Sequence, residues 1–401
     1  MKVEILPSKA TGKIQAPSSK SYAHRILICA ALAEGTSVIE NIGTNDDILA
    51  TAQCLRELGA DIKIDGTTAV VKGIKTAERK KHVSLFCNES GSTLRFLIPL
   101  SLVLFENAQF GGKGRLMERP QSVYEELFSE KGCYLEKDDK GLLAGGELKS
   151  GVFKIRGDIS SQFITGLMLA LPLLSGDSEI VLTTELESAP YVDITIEVLS
   201  LFGVNITKTD KGFYIKGDQK YTPQNLTVEG DWSNAAFLDA FNLAGGMVEL
   251  TGLNNESSQG DKVYREFYDS FSSENPVFDI SQCPDLGPVL ISASVIKNGA
   301  LINGTRRLKI KESDRAEAMK EELLKFGVEI EVGDDFVKIP NVTPHRPTAP
   351  MDCHNDHRIA MSLAVLCSVT GGALDGAQCV NKSYPEFFED VKKLGIKYKI
   401  I

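Results

Sequence analysis

Two cations stand where a helix start ought to reject them: Lys311 and Arg315, within Lys309-Ile-Lys-Glu-Ser-Asp-Arg315, run straight into the amphipathic pattern from Ala316 to Gly327. Asp314 followed three residues later by Glu317 has capping-box spacing, which predicts a helix beginning here. Lys311 then lies just before the first turn and Arg315 inside it, beside the positive end of the macrodipole, where anions are favoured and cations are not. Free backbone N–H groups with two adjacent cations make a phosphate or carboxylate site, and Glu312 between them offers a carboxyl that can move a proton. A solvated helix start with ordinary charge pairs explains the segment equally well when it is taken alone.

Five more polar clusters open long apolar stretches: Ser18-Ser-Lys-Ser-Tyr-Ala-His-Arg25, Glu89-Ser-Gly-Ser-Thr-Leu-Arg95, Ser160-Ser-Gln162, Asp231-Trp-Ser-Asn234 and Asn355-Asp-His-Arg358, with Pro284-Asp285 opening a further one. Each has a plain reading. Ser18, Ser19, Ser160 and Ser161 are good N-caps, although Gln162 adds a donor and an acceptor that a cap does not need. Arg25 and Arg95 read as snorkelling surface residues, His357 as a satisfied structural histidine and Asp285 as an ordinary cap. Repetition at equivalent places favours a shared ligand-binding role.

The elements behind these clusters alternate. An apolar helical stretch dropping into a β-branched strand recurs near residues 26, 166, 236, 289 and 360, and more weakly near Leu94. Between these lie amphipathic helices ending in Gly and a polar hairpin, as in Leu55-Arg-Glu-Leu-Gly59, Leu199-Ser-Leu-Phe-Gly203 and Leu323-Leu-Lys-Phe-Gly327. Together they predict an α/β chain of six βαβαββ units spaced by roughly 70 residues, three to a domain. The expected domains are 16–227, and 1–15 with 228–401, hinged at the polar segment Thr222-Pro-Gln-Asn-Leu-Thr-Val-Glu-Gly230. If like units stack in parallel, the helix starts converge on one face of each domain, and two such faces across a hinge make a cationic cleft. Such faces should repel when empty and close on bound anions.

Composition narrows the classes. A chain of 401 residues, 42% hydrophobic and 24% charged, suits two soluble domains. A net charge of −10 argues against a nucleic-acid surface, so an anionic ligand must be drawn by a local basic pocket. Cys29, Cys54, Cys87, Cys133, Cys283, Cys353, Cys367 and Cys379 are scattered without a Cys-x-x-Cys pair, which signals buried reduced thiols rather than a metal site or a disulfide framework. The first residues lack a signal-peptide core and no apolar run would span a bilayer, so a cytoplasmic location is expected; a monomer working without metal or cofactor is a separate expectation, and the sequence itself does not reveal oligomeric state.

Assembled, these segments resemble the 5-enolpyruvylshikimate-3-phosphate synthase family of enolpyruvyl transferases over essentially the whole chain. The motifs in order are Ser19-Lys20-Ser21 with Arg25, Gly91-Ser-Thr-Leu-Arg95, Arg119-Pro120, Ser160-Ser-Gln-Phe163, Ser188-Ala-Pro-Tyr191, Pro284-Asp285, Lys311-Glu-Ser-Asp-Arg315, Asp356-His-Arg358, and Lys382 ahead of Tyr384-Pro385. The resemblance implies a two-domain fold, an inside-out α/β barrel of three βαβαββ units in each domain, with the active site in the cleft between them. The implied reaction transfers the carboxyvinyl group of phosphoenolpyruvate to the 5-hydroxyl of shikimate 3-phosphate.

By the same resemblance Lys20, Ser21, Arg25, Ser160, Ser161, Gln162, Ser188, Tyr191, Asp285 and Lys311 would hold shikimate 3-phosphate. Phosphoenolpyruvate would lie against Lys20, Gly91, Arg119, Gln162, Arg315, Arg358 and Lys382. Asp285 is the expected base, Glu312 the expected acid, and Lys20 and His357 complete the catalytic set. Two positions depart from the pattern. Glu89 replaces a usual Asn, so either it turns away to pair with a cation or it alters phosphoenolpyruvate affinity; Arg307, where some members have Asn, could compensate.

Two rival readings are weaker. The sister transferases acting on UDP-N-acetylglucosamine usually carry a Cys in the loop before Arg-Pro, where this chain reads Gly111-Gly-Lys-Gly-Arg-Leu-Met-Glu-Arg-Pro120. A non-catalytic anion-binding protein would lack Asp285, Glu312 or Lys20, and all three are present.

Overall fold

The computed structural model describes residues 1–74 and 79–401, and divides into two compact units: Ser18–Glu229, and Met1–Pro17 together with Gly230–Ile401. No helix among the described residues is long and apolar enough to cross a membrane. All eight cysteines are buried and free.

The Ser18–Glu229 unit is built from three four-stranded sheets of one design. In the first, strands Lys80–Phe86 and Phe105–Gly111 run parallel, and helix Gly91–Leu104 provides the crossover that parallel neighbours require. Helix Ser122–Glu130 then leads into the hairpin Tyr134–Asp138 and Gly141–Gly145, whose second strand closes antiparallel on Phe105–Gly111. The same order recurs in Val152–Ile155, Ser178–Leu182, Gly212–Ile215 and Ile206–Thr209, with helices Ser161–Ala170 and Ala189–Leu201. A third copy borrows its first strand from the far end of the unit: Asn225–Thr227 lies parallel to Thr36–Glu40, Asn225 opposite Val38, and helices Lys20–Leu32 and Asp46–Leu58 serve this sheet.

Helices Lys20–Leu32, Gly91–Leu104 and Ser161–Ala170 are buried almost all round, which is why their sequences are apolar rather than striped. Pro99 sits inside the second of them and offers no N–H to the Arg95 carbonyl. That oxygen instead lies 3.0 Å from the Tyr124 hydroxyl, which also reaches the Phe163 carbonyl at 2.8 Å. Gly166 allows the close approach, since a Cβ there would collide with the Arg95 carbonyl and the Tyr124 hydroxyl.

In the other unit, strands Val277–Asp279, Ala300–Asn303, Phe336–Ile339 and Glu331–Val332 repeat the design with helices Gly287–Ile296 and Arg315–Leu324. Another sheet takes the strand Lys2–Leu6 into its interior, antiparallel to both Gly372–Asp375 and Lys397–Ile400, with Met351–Asp352 at the edge. The remaining sheet departs from the six equal units expected. It has only two strands, Thr11–Gln15 and Met247–Thr251, with helix Trp232–Leu243 packed beside them. Instead of a hairpin the chain continues through Gly260–Val263, Tyr264–Asp269 and Ser270–Ser272. Tyr264, Tyr268 and Phe271 have helical spacing and bury their rings in the core, so this stretch packs as helix.

Candidate active site

Five of the six polar clusters supply an N-cap to an apolar helix: Ser19, Ser90, Ser160, Asp231 and Asp356. The Pro284-Asp285 cluster differs, forming a 3₁₀ turn Pro284–Leu286 ahead of helix Gly287–Ile296. Asp285 is therefore not an ordinary cap. Asp314 does cap helix Arg315–Leu324, its side chain accepting from the Glu317 N–H at 3.3 Å.

In the Gly230–Ile401 unit the side chains converge on Asp285. Its Oδ1 accepts from Lys311 Nζ at 3.1 Å and from Arg315 Nη1 at 2.9 Å, and its Oδ2 from Arg358 Nη2 at 2.9 Å. Arg315, 1% exposed, also donates to Glu312 Oε2 at 2.7 Å and through Nε to Asp356 Oδ2 at 2.9 Å. The repulsion expected between a cation and a helix N-terminus is thus offset by three carboxylates. Arg358 donates in addition to Ser233 Oγ at 2.7 Å and to the Asp285 carbonyl at 3.2 Å. Lys311, Arg315 and Arg358 face Asp285, Glu312 and Asp356, with the charge of Arg307 also felt at Lys311.

Burial alone would raise the Asp285 pKa, but Arg358, Lys311 and Arg315 overcome it and hold the carboxyl well below its ordinary range. Burial pushes Lys311 down to about 8, with Asp285 pulling the other way. Burial would also lower Arg315, yet Asp356, Glu312 and Asp285 keep its guanidinium firmly charged. His357, buried on the first turn of helix His357–Thr370, has Nδ1 3.9 Å from Asp356 Oδ1. Lys382 ends the 3₁₀ helix Ala377–Lys382 and donates to the Asn355 carbonyl at 2.5 Å.

The Ser18–Glu229 unit carries the other candidates. Lys20 opens helix Lys20–Leu32 and donates to Asp47 Oδ2 at 2.8 Å. Arg25 does not snorkel: it is 3% exposed, donating to Thr195 Oγ1 at 2.7 Å and to the carbonyls of Ser21 and Tyr191 at 2.7 and 2.9 Å. Burial lowers its pKa to about 10, leaving it charged at neutral pH. Arg95 is buried as well, donating to Gln162 Oε1 at 2.9 Å and the Pro120 carbonyl at 3.1 Å, with its guanidinium over the Phe163 ring. Its location inside the helix, where a surface role was expected, braces Gln162, whose Nε2 donates to Ser92 Oγ at 2.9 Å.

Ser160 caps the helix that presents Ser161 and Gln162, its Oγ accepting from the Gln162 N–H at 3.3 Å. Ser188 precedes helix Ala189–Leu201 in the left-handed region at φ 58°, and its carbonyl accepts from the Tyr191 N–H at 3.1 Å. Arg119 lies against Gly91, where an added Cβ would sit 2.9 Å from Cζ and push the guanidinium aside. Glu89 directs its carboxylate at Gly114 in the same loop; a Cβ on Gly114 would come within 2.9 Å of Cδ.

The sequence alone does not mark Asp47 or Thr195, nor the bond of Ser233 to Arg358, the place of Asp356 as a carboxylate hub or that of Arg95 as a brace. Asp47 and Asp356 each lie at a helix start, a visible signal, but the cation each would meet was not visible.

A family model described as EPSP synthase (3-phosphoshikimate 1-carboxyvinyltransferase) matches residues 6–391. Proteins named 3-phosphoshikimate 1-carboxyvinyltransferase from Clostridium botulinum, Clostridium perfringens and Clostridium acetobutylicum are 41%, 42% and 43% identical, each match covering 98% of this chain and 97%, 98% and 97% of theirs. Among solved structures, an EPSP synthase from Acinetobacter baumannii aligns with a TM-score of 0.79 at 22% identity over 99% of both chains. The enolpyruvyl transferase NikO from Streptomyces tendae aligns with a TM-score of 0.79 at 16% identity, over 99% of this chain and 98% of that one.

Proposed function

Because the chain belongs to the EPSP synthase family, and so transfers the carboxyvinyl group of phosphoenolpyruvate to the 5-hydroxyl of shikimate 3-phosphate, we propose that Asp285 and Glu312 are its proton-transferring pair. The reaction is the shikimate-pathway step toward chorismate and the aromatic amino acids. In the proposed division of labour, Lys20, Ser21, Arg25, Ser160, Ser161, Gln162, Ser188 and Tyr191, with Asp285 and Lys311, bind shikimate 3-phosphate. Lys20, Gly91, Arg119, Gln162, Arg315, Arg358 and Lys382 bind phosphoenolpyruvate. Residues 16–227 thus mainly hold the acceptor, and the rest of the chain supplies acid, base and the phosphoenolpyruvate ligands Arg315, Arg358 and Lys382.

The observation that carries this reading is the grip of Lys311, Arg315 and Arg358 on Asp285. Held by these three cations, the carboxylate is a weak base, because protonation would forfeit three ion pairs. Substrate phosphate and carboxylate oxygens compete for the same cations, and as they take them the Asp285 pKa rises toward its ordinary range. Basicity is then gained only when there is a hydroxyl to deprotonate. The 5-hydroxyl oxygen attacks C2 of phosphoenolpyruvate, its proton passing to Asp285, while C3 receives a proton from Glu312. Reversal of these transfers expels phosphate from the tetrahedral adduct, with Lys20 stabilising the charge on the leaving group. His357 joins the set through its ring, whose Nδ1 lies 3.9 Å from Asp356 Oδ1.

A coupled phosphate-release assay tests the assignment. Wild-type protein is expected to release phosphate with shikimate 3-phosphate and not with UDP-N-acetylglucosamine, and Asp285→Ala and Glu312→Gln to lose roughly 10²- to 10⁴-fold in turnover. Near wild-type turnover in both variants would show that the acid and base lie elsewhere. The same reading takes the working form to be a cytoplasmic monomer acting on small anions, without nucleic acid or membrane, which light scattering of the purified protein checks for mass.

A further inference from the structure

His354 and Asn355 are consecutive non-glycine residues in the left-handed region, at φ 50° and 51°. Such a pair is intrinsically unfavourable and persists only where its surroundings over-determine it. Here the constraint comes from Glu322, 2% exposed on helix Arg315–Leu324. Its Oε1 lies 3.1 Å from His354 Nε2, and its Oε2 accepts from the Asp352 N–H at 3.0 Å. Asp352 in turn accepts from the His354 N–H at 2.7 Å. Two turns earlier on the same helix, Arg315 binds Asp356. The helix is therefore fastened to segment 352–356 at both ends, and the turn between presents the Asn355 carbonyl to Lys382.

We infer that His354 is a positioning residue for phosphoenolpyruvate: through Glu322 it holds the turn that orients Lys382 by the Asn355 carbonyl and Arg315 by Asp356. This rests on the assignment of phosphoenolpyruvate to Arg315, Arg358 and Lys382. The charged groups around the ring are Glu322, Glu321 at 3.8 Å, Asp352, and Lys325, whose ammonium lies 2.9 and 2.7 Å from the two Glu322 oxygens. The hydrogen bond to Glu322 outweighs burial and raises His354 above its ordinary value, and the side chain is 23% exposed, so it exchanges protons with solvent. The charged clamp is complete below about pH 6.5 and is lost as pH rises through the raised value.

The test measures kcat, both KM values and melting temperature from pH 5.5 to 9 for wild type, His354→Gln, His354→Ala and Lys382→Met. Glutamine keeps an N–H donor for Glu322 but does not titrate. His354→Ala is expected to raise KM for phosphoenolpyruvate about tenfold, the cost of one lost hydrogen bond to a charged group, with KM for shikimate 3-phosphate within about twofold. His354→Gln should restore the low-pH value and flatten the pH dependence relative to wild type, the ionisation of phosphoenolpyruvate being common to both. A phosphoenolpyruvate KM within about twofold of wild type at every pH for His354→Ala overturns the inference. If that variant does not fold, a pH dependence in His354→Gln identical to wild type overturns it instead. Lys382→Met separates the two levels: an unmoved phosphoenolpyruvate KM there removes the underlying assignment, whereas a raised one beside a silent His354→Ala removes only the role of His354.

Discussion

Lys311 is a half-buried ammonium whose pKa falls to about 8, chiefly because partial burial disfavours its charge. An unfolded lysine keeps its proton to about pH 10.4, so this group's contribution to folding stability increases as pH climbs from 8 toward that value. Anion binding moves in the opposite sense, because a neutral amine is a poor phosphate ligand. KM for shikimate 3-phosphate is expected to rise about fivefold between pH 8 and 9, the loss of protonated fraction for a group with that pKa, and Lys311→Arg should flatten the rise. Superimposable KM profiles for the two proteins would place the acceptor away from Lys311. The motif spacing already marked Lys311, Glu312 and Arg315 as a set, and the family resemblance added Asp285 to it. What it could not convey was pairing across distant segments, such as Asp356 with Arg315 or Asp47 with Lys20. A short polar residue at a helix start reads as a cap whether or not its second oxygen also grips a cation, as that of Asp356 does, and Asp47 sits in the first turn of a helix that Asn45 caps, where a carboxylate needs no further partner to explain it. Arg25 and Arg95 were misjudged for a related reason: one arginine in an apolar helix looks like a snorkelling residue until the carbonyls and hydroxyls that receive it are in place.

At the scale of elements, the apolar helices were legible because each has a polar start and burial on every side, and the hairpins because Gly ended the helix before them. The exception was the stretch after Met247–Thr251, where aromatic residues at helical spacing replace a turn. Contact between helices was not legible at all. Helices Gly91–Leu104 and Ser161–Ala170 pack so closely that Gly166 faces the Arg95 carbonyl and the Tyr124 hydroxyl. Gly166→Ala is expected to destabilise the Ser18–Glu229 unit by about 1–3 kcal/mol, because the clash involves backbone that cannot yield cheaply. Urea unfolding reads this directly, and an unchanged midpoint would mean the helices can separate without cost. Gly166 also lies one turn beyond Gln162, so any separation should reach the Arg95–Gln162 bond and the helix start proposed to bind substrate.

At the scale of the molecule, one unit is continuous in sequence and the other is not. Residues 18–229 contain every strand of their own three sheets, including the borrowed Asn225–Thr227. Expressed alone, that fragment is expected to unfold in a single cooperative urea transition. Deletion of residues 1–15 from the full chain should instead abolish native packing in the 230–401 portion, since Val3 and Ile5 are buried there and Lys2–Leu6 pairs on both sides. Proteolysis that spared 230–401 in the deletion protein would refute this.

That discontinuity also sets a timetable for synthesis. The strand Lys2–Leu6 leaves the ribosome long before its partners Gly372–Asp375 and Lys397–Ile400 are made. At about 5–20 residues per second, the opening strand waits roughly 20 to 70 s for a neighbour. Throughout that interval the continuous unit can fold behind it while Val3 and Ile5 remain uncovered, an apolar strand held open for association with other nascent chains.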